Sequence, residues 1–182
     1  IIAGYLENSL SKDQTCEWSE PESAPGNDIL RIKRIKVVPN GDRTDGLISM
    51  QSDICIDTEF WSLTRGRSVH ITYHLMNEQG IVVLTTGTDP AKYRPGQYVA
   101  GFQIPGGLLN SGVYSLKLFI VENGRPTYIN PYISSFSVVD VSPRRKAYMG
   151  REPGVIQPEI TWQTDTIMQG DDAEVGQVTA SR

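Results

Sequence analysis

The sequence predicts an all-β chain, an immunoglobulin-like antiparallel β-sandwich of about seven or eight strands with a polar N-terminal linker and a C-terminal extension. Three observations predict it. Apolar and polar residues alternate with period two through several runs between residues 29 and 141. Short turn signals such as PNGDRTDG, NEQG, GGLLNSG and ENGRP separate those runs. No long 3.6-residue apolar period interrupts them, and 17 Gly and 11 Pro with 38% hydrophobic residues fit many short strands better than a helical bundle.

Residues 1–6 (IIAGYL) read as the last turns of a helix from an upstream domain. Residues 7–28 read as a linker, being polar, with Pro21, Pro25 and Gly26 and little to bury. The first strand is ILRIKRIKVV, residues 29–38. Its apolar positions Leu30, Ile32, Ile35 and Val37 slip once in their spacing, which marks a bulge. From Ile54 the alternation is regular: Ile54, Ile56, Thr58 and Phe60 share one face, and Cys55, Asp57, Glu59 and Trp61 the other. SVHITYHLM turns Val69, Ile71, Tyr73 and Leu75 inward and His70, Thr72 and His74 outward. IVVLTTGT from Ile81 is a short apolar strand, and DPAKYRPG is a loop. QYVAGFQIP places Tyr98, Ala100, Phe102 and Ile104 on one face, GVYSLKLFIV does the same with Tyr114, Leu116, Leu118 and Ile120, and ISSFSVVDV from Ile133 closes the sandwich. Ile54, Ile56, Phe60, Ile71, Tyr73, Phe102, Tyr114, Leu116 and Leu118 are the expected core. The sandwich domain is therefore expected over residues 29–141, with residues 142–182 as an extension.

Composition narrows the function. A net charge of −4 and a pI near 5.2 supply no drive toward phosphate backbones or anionic membranes, so nucleic acid is not an expected partner. Cys16 and Cys55 form no disulfide framework and read as free thiols, which favours a reducing compartment. No apolar run approaches the roughly 20 residues that span a bilayer, and the chain reads as a piece of a longer protein.

Catalytic signatures are missing. No G-x-x-x-x-G-K-[ST] loop and no G-x-S-x-G elbow occurs in the sequence. His70 and His74 lie roughly 13 Å apart at strand rise, too far to share one metal ion, so no metal site or cofactor is expected. Asp57 and Glu59 lie roughly 6.6 Å apart, a separation open to glycosidase carboxylates, yet they read as ordinary acids of a solvated strand face. The chain is read as non-catalytic.

The stretches ICIDTEF, NEQGIVVLTTGTD, RPGQYVAGFQIPGGLLNSGVYSLKL and SSFSVVD together resemble the C-terminal domain of the ATP-binding subunit of O-antigen ABC transporters of the Wzt type. The segment from Gln97 to Leu118 carries the most specific part of the likeness, while IIAGYLEN resembles the family's junction after the ATP-binding domain and GVIQPEITW its terminal segment. The resemblance implies an immunoglobulin-like fold and binding of a lipid-linked O-antigen polysaccharide. It implies a homodimer working with the upstream ATP-binding domain and the membrane subunit, at the cytoplasmic face of the inner membrane. It transfers no binding residue, because the family's glycans differ.

Candidate glycan-binding residues come from strand-face arithmetic. If the strands of residues 54–61 and 68–75 form a hairpin, residues summing to 129 lie opposite, so that Glu59 meets His70, Asp57 meets Thr72 and Cys55 meets His74. Trp61, Glu59, Asp57, His70, Thr72 and His74 would then form one polar and aromatic patch. Trp61 has two readings, a ring that stacks on sugar or a ring packed beneath a loop or a partner. Val155, Ile156, Ile160 and Trp162 are expected to dock as an extended segment on a sandwich, with the polar residues beyond them as a tail. A module that only dimerises the transporter ATPase is the alternative to glycan recognition. An assembly surface would show a broad apolar patch, a glycan site a polar face with one or two exposed rings.

Overall fold

The computed structural model describes residues 14–40, 47–141, 153–158 and 160–163. The described residues form ten strands and no helix: β1 (Gln14–Glu17), β2 (Leu30–Asn40), β3 (Ile48–Ser49), β4 (Asp53–Ser62), β5 (Ser68–Asn77), β6 (Val82–Gly87), β7 (Ala91–Lys92), β8 (Gly96–Ile104), β9 (Gly112–Glu122) and β10 (Arg125–Val139). They build two sheets. One runs β1-β2-β4-β8 and the other β3-β10-β9-β5-β6, with β7 also paired to β5. All pairings are antiparallel except the short parallel contact of β10 with β3. The predicted sandwich is the observed fold.

The alternation seen in the sequence decides what is buried. Ile54, Ile56, Phe60, Ile71, Tyr73, Tyr114, Leu116 and Leu118 are all buried between the sheets, as expected, joined by Leu30, Ile32, Ile35, Ile104 and Phe136. Phe102 is only half-buried, because β8 is an edge strand and one flank of its inward face lies open. The hydroxyls of Thr58 and Tyr73 meet at 2.8 Å across the sandwich, which satisfies two polar groups within an apolar core. Burial pushes the Tyr73 phenol well above its ordinary value, so it remains a protonated hydrogen-bonding group.

Local rules account for the irregular points. The slip in the first apolar run is a register shift of β2 against β4 between Ile32 and Arg34, leaving Lys33 as the extra residue. At the β9–β10 hairpin, Glu122 faces Arg125, and the two residues between, Asn123 and Gly124, both have positive φ of 49° and 78°. That is the Asn-Gly turn whose twist suits two antiparallel strands.

Three sequence expectations are corrected. The presumed linker contributes β1, which pairs with β2 from Gln14↔Val37 to Glu17↔Arg34. The residues after it are also tied down: Ala24 is buried, the Asn27 side chain accepts from the Ile29 and Leu30 amides, and Arg31 donates to the Ala24 and Asn27 carbonyls. Polar composition concealed this because hydrogen bonds, not apolar burial, hold most of the segment. The last strand begins at Arg125 and not at Ile133. Pro126, read as part of the turn ENGRP, and Pro131 sit at or inside the two register shifts of β10 against β9, where a missing N–H costs no ladder bond. The loop of residues 89–96 holds the two-residue strand β7. The proposed helix of residues 1–6 lies outside the described residues.

Hydrogen bonds tie residues 154–157 of the terminal segment to the sandwich, while Ile156 stays 47% exposed. Ile156 bridges to Leu109, the Gln157 amide donates to the Leu108 carbonyl at 3.0 Å, Asn110 Nδ2 donates to the Gly154 carbonyl, and the Tyr114 hydroxyl reaches the Val155 carbonyl. Further on, Ile160 and Trp162 are exposed at 60% and 77%.

Candidate functional site

The predicted hairpin of β4 with β5 does not form. β4 pairs with β2 and β8 in one sheet, while β5 pairs with β9, β6 and β7 in the other. The six candidate residues therefore lie on two opposite outer surfaces. Asp57, Glu59 and Trp61 share one, and His70, Thr72 and His74 the other. The faces follow from alternation within each strand, whereas the joint patch required an adjacency that the topology does not provide.

The four-stranded sheet presents an ionic surface. Glu59 pairs with Arg34 and, at 3.6 Å, with Lys33, whose ammonium also donates to Gln97 Oε1 at 2.8 Å. The Lys33 ammonium stands 6.0 Å from the centre of the Trp61 ring. Trp61 keeps only 9% of its surface exposed, which favours the packed reading of this residue over the sugar-stacking one. Asp57 faces Gly101 on β8, and a Cβ at that glycine would collide with its carboxylate. On the same strand, burial pushes the Cys55 thiol up, with Asp57 and Asp53 adding to the shift, so this cysteine is a poor thiolate source. On this surface Glu59 is engaged by two cations and the Trp61 ring is nearly covered.

The outer surface of the larger sheet differs. In register across it, Gly87, Thr72, Phe119 and Ile129 make one row, and Thr85, His74 and Lys117 the next. His74 and Phe119 rings lie 4.5 Å apart, tilted by 46°, and the Lys117 ammonium is 5.0 Å from the Phe119 ring centre. Opposite the single residue Lys117, β10 carries three, Pro131, Tyr132 and Ile133, because its register shifts between Asn130 and Ser134. Ile133 turns into the core, while Tyr132 is 59% exposed and its amide donates to Asn130 Oδ1. The bulge thus holds an exposed tyrosine on the strand next to β9, opposite Lys117. His70 continues the surface one row further, opposite Val121.

A surface of this kind suits a polyhydroxylated chain. Rings supply flat apolar faces for sugar C–H groups, and Thr72, Thr85, His70, His74 and Lys117 supply donors and acceptors for hydroxyls. Among the described residues there is no cluster of three or more His, Cys, Asp or Glu side chains placed to hold a metal ion. Nor is any helix among them long and apolar enough to cross a membrane.

Phe119, Lys117 and Tyr132 were not among the sequence-derived candidates. Phe119 was within reach: with Tyr114, Leu116, Leu118 and Ile120 inward, alternation leaves a phenylalanine on the outer face. Tyr132 had no such signal, since two prolines hid the strand that carries it.

The fold and this surface define the class: an immunoglobulin-like sandwich that presents a shallow polar and aromatic sheet face. The chain shares its fold with the crystal structure of the C-terminal domain of Wzt, with a TM-score of 0.59 and 16% identity over 82% of this chain and 93% of that one. A putative β-galactosidase from Bacteroides fragilis aligns at a TM-score of 0.36 with 13% identity over 52% of this chain and 15% of that one. No protein-family model matches the chain, and no curated protein matches it.

Proposed function

We propose that the chain is a non-catalytic carbohydrate-binding domain of the ATP-binding subunit of an O-antigen ABC transporter, and that it recognises a lipid-linked O-antigen polysaccharide for export. The observation that carries the glycan part of this reading is the cluster of His74, Lys117 and Phe119 on the outer face of β5 and β9, with the exposed Tyr132 opposite Lys117 on β10. The fold shared with the C-terminal domain of Wzt and the sequence resemblance over residues 47–139 support the transporter part. In this reading the domain works at the cytoplasmic face of the inner membrane, as a homodimer attached to the ATP-binding domain and the membrane subunit. It turns over neither nucleotide nor glycan, since the chain contains no phosphate-cradling loop and Glu59 is engaged by Arg34 and Lys33.

One observation favours the assembly reading: Ile160 and Trp162 offer exposed apolar surface next to a docked segment. The two readings separate on a glycan array printed with bacterial O-polysaccharides. The glycan reading predicts saturable binding of the full chain to at least one of them. Uniform absence of binding at chain concentrations up to the millimolar range, typical of weak sugar sites, contradicts it and leaves assembly as the function.

A further inference from the structure

The sandwich does not close along one flank, where β8 ends the smaller sheet and β6 ends the larger, and these two strands are not hydrogen-bonded to each other. A cleft of about 100 Å³ lies between them. Ile71, Ala100 and Phe102 supply its apolar lining, with the Phe102 ring centre 5.9 Å from that of Tyr73. The other side chains that line it carry hydroxyls, and none is charged. Those hydroxyls are not all engaged. Thr58 and Tyr73 share one hydrogen bond at 2.8 Å, which uses one of their two O–H protons, and the other has no acceptor among the described residues. Both residues are buried, at 2% and 3% exposure, where a donor without an acceptor is unfavourable. Thr88 Oγ1 accepts from the Ile71 amide at 3.2 Å, which leaves its own proton to donate.

Size and chemistry together select an occupant. A cavity of about 150 Å³ holds the six carbons of benzene, so a cleft of this volume suits roughly four heavy atoms, the size of an acetamido group and well short of a whole sugar ring. An ion would lose its hydration there with no charged partner in exchange. We propose that the cleft between β6 and β8 takes the acetyl group of an acetylated sugar. Its carbonyl oxygen accepts from the unengaged hydroxyl protons, and its methyl group rests on Ile71, Ala100 and Phe102. Gly87 connects this cleft with the outer face, since it lines the one and stands at the β6 end of the row Gly87, Thr72 and Phe119 on the other. A saccharide on that face therefore reaches the cleft past an edge position that has no side chain. The inference rests on the glycan reading for the source of the acetyl group, and the cleft itself is tested separately.

The test is an NMR titration of the full chain with three monosaccharides, N-acetylglucosamine, an O-acetylated glucose and glucose itself. N-acetylglucosamine should shift Tyr73, Thr86, Thr88, Ala100 and Phe102 saturably, with a Kd of about a millimolar, and glucose should leave them unmoved. Matching shifts from the O-acetylated glucose assign the site to acetyl groups of either kind, and shifts from one acetylated sugar alone assign it to the amide or to the ester. Ala100→Leu adds three carbons within the cleft and should raise the Kd about tenfold or more, in a variant whose fold thermal unfolding verifies. The comparison of sugars uses the wild type only and decides the matter even where that variant does not fold. Absence of shifts with both acetylated sugars, equal shifts with glucose, or undiminished affinity in folded Ala100→Leu overturns the proposal. Silence of the cleft while a polysaccharide binds on the array overturns this inference and leaves the glycan reading standing. Binding of acetylated sugars in the cleft with no polysaccharide bound on the array does the reverse.

Discussion

Replacing Leu116 with alanine should lower the stability of the chain by about 2 to 5 kcal/mol. Leu116 lies mid-way along β9, whose neighbours on both sides are long strands, with Leu75 opposite on β5 and Ser134 opposite on β10. It has no exposed surface, nor has Leu75, and Ser134 is buried. The central strand of a sheet is held by ladders on both flanks, so the backbone cannot collapse to fill the space of a lost isobutyl group, and the cost exceeds the transfer energy alone. Chemical denaturation of the two proteins measures it. A loss below about 1 kcal/mol would mean that the site relaxes and that β9 is not the centre of the packed layer.

Tyr132→Ala should act in the opposite way, removing affinity while leaving stability nearly unchanged. The ring is exposed, so its loss opens no cavity, and surface truncations away from caps and ion pairs usually fall within about 0.5 kcal/mol. An aromatic anchor at the centre of a recognition surface commonly contributes about 2 kcal/mol, which corresponds to roughly a thirtyfold loss of affinity for the polysaccharide. Calorimetric titration with an O-polysaccharide that the array selects gives the comparison. Equal affinities would remove Tyr132 from the site, and a parallel loss of stability would make it a structural residue of the bulge.

The sequence was a good guide to what faces inward and a poor one to what lies beside what. Alternation in DICIDTEFWS and SVHITYHLMN assigned each side chain a face because neighbouring side chains in a strand must point opposite ways. The same signal carries no information about which strand comes next in the sheet. β4 and β5 are consecutive, and consecutive strands are spatial neighbours only about two-thirds of the time. Here the chain crosses between sheets at Leu63–Arg67, so His70, Thr72 and His74 reached the expected outer face without Asp57, Glu59 and Trp61 beside them. Trp61 shows a second limit. It occupies an outward position but is nearly covered, in a setting where Lys33 belongs to a bulge of β2 and Gln97 to β8, a long-range arrangement that spacing does not encode. Tyr132 shows a third, since Pro131 forbids ordinary pairing and a bulge is the conformation that accommodates it.

The central claim is that the face built by β5, β9 and β10 meets the polysaccharide, and amide chemical-shift mapping of the full chain during titration with an array-selected O-polysaccharide tests it most directly. The predicted result is a contiguous set of saturable shifts at Thr72, His74, Lys117, Phe119 and Tyr132, with Asp57, Glu59 and Trp61 on the opposite surface unmoved. Shifts concentrated at Asp57, Glu59 and Trp61, or confined to the terminal residues Ile160 and Trp162, would contradict it.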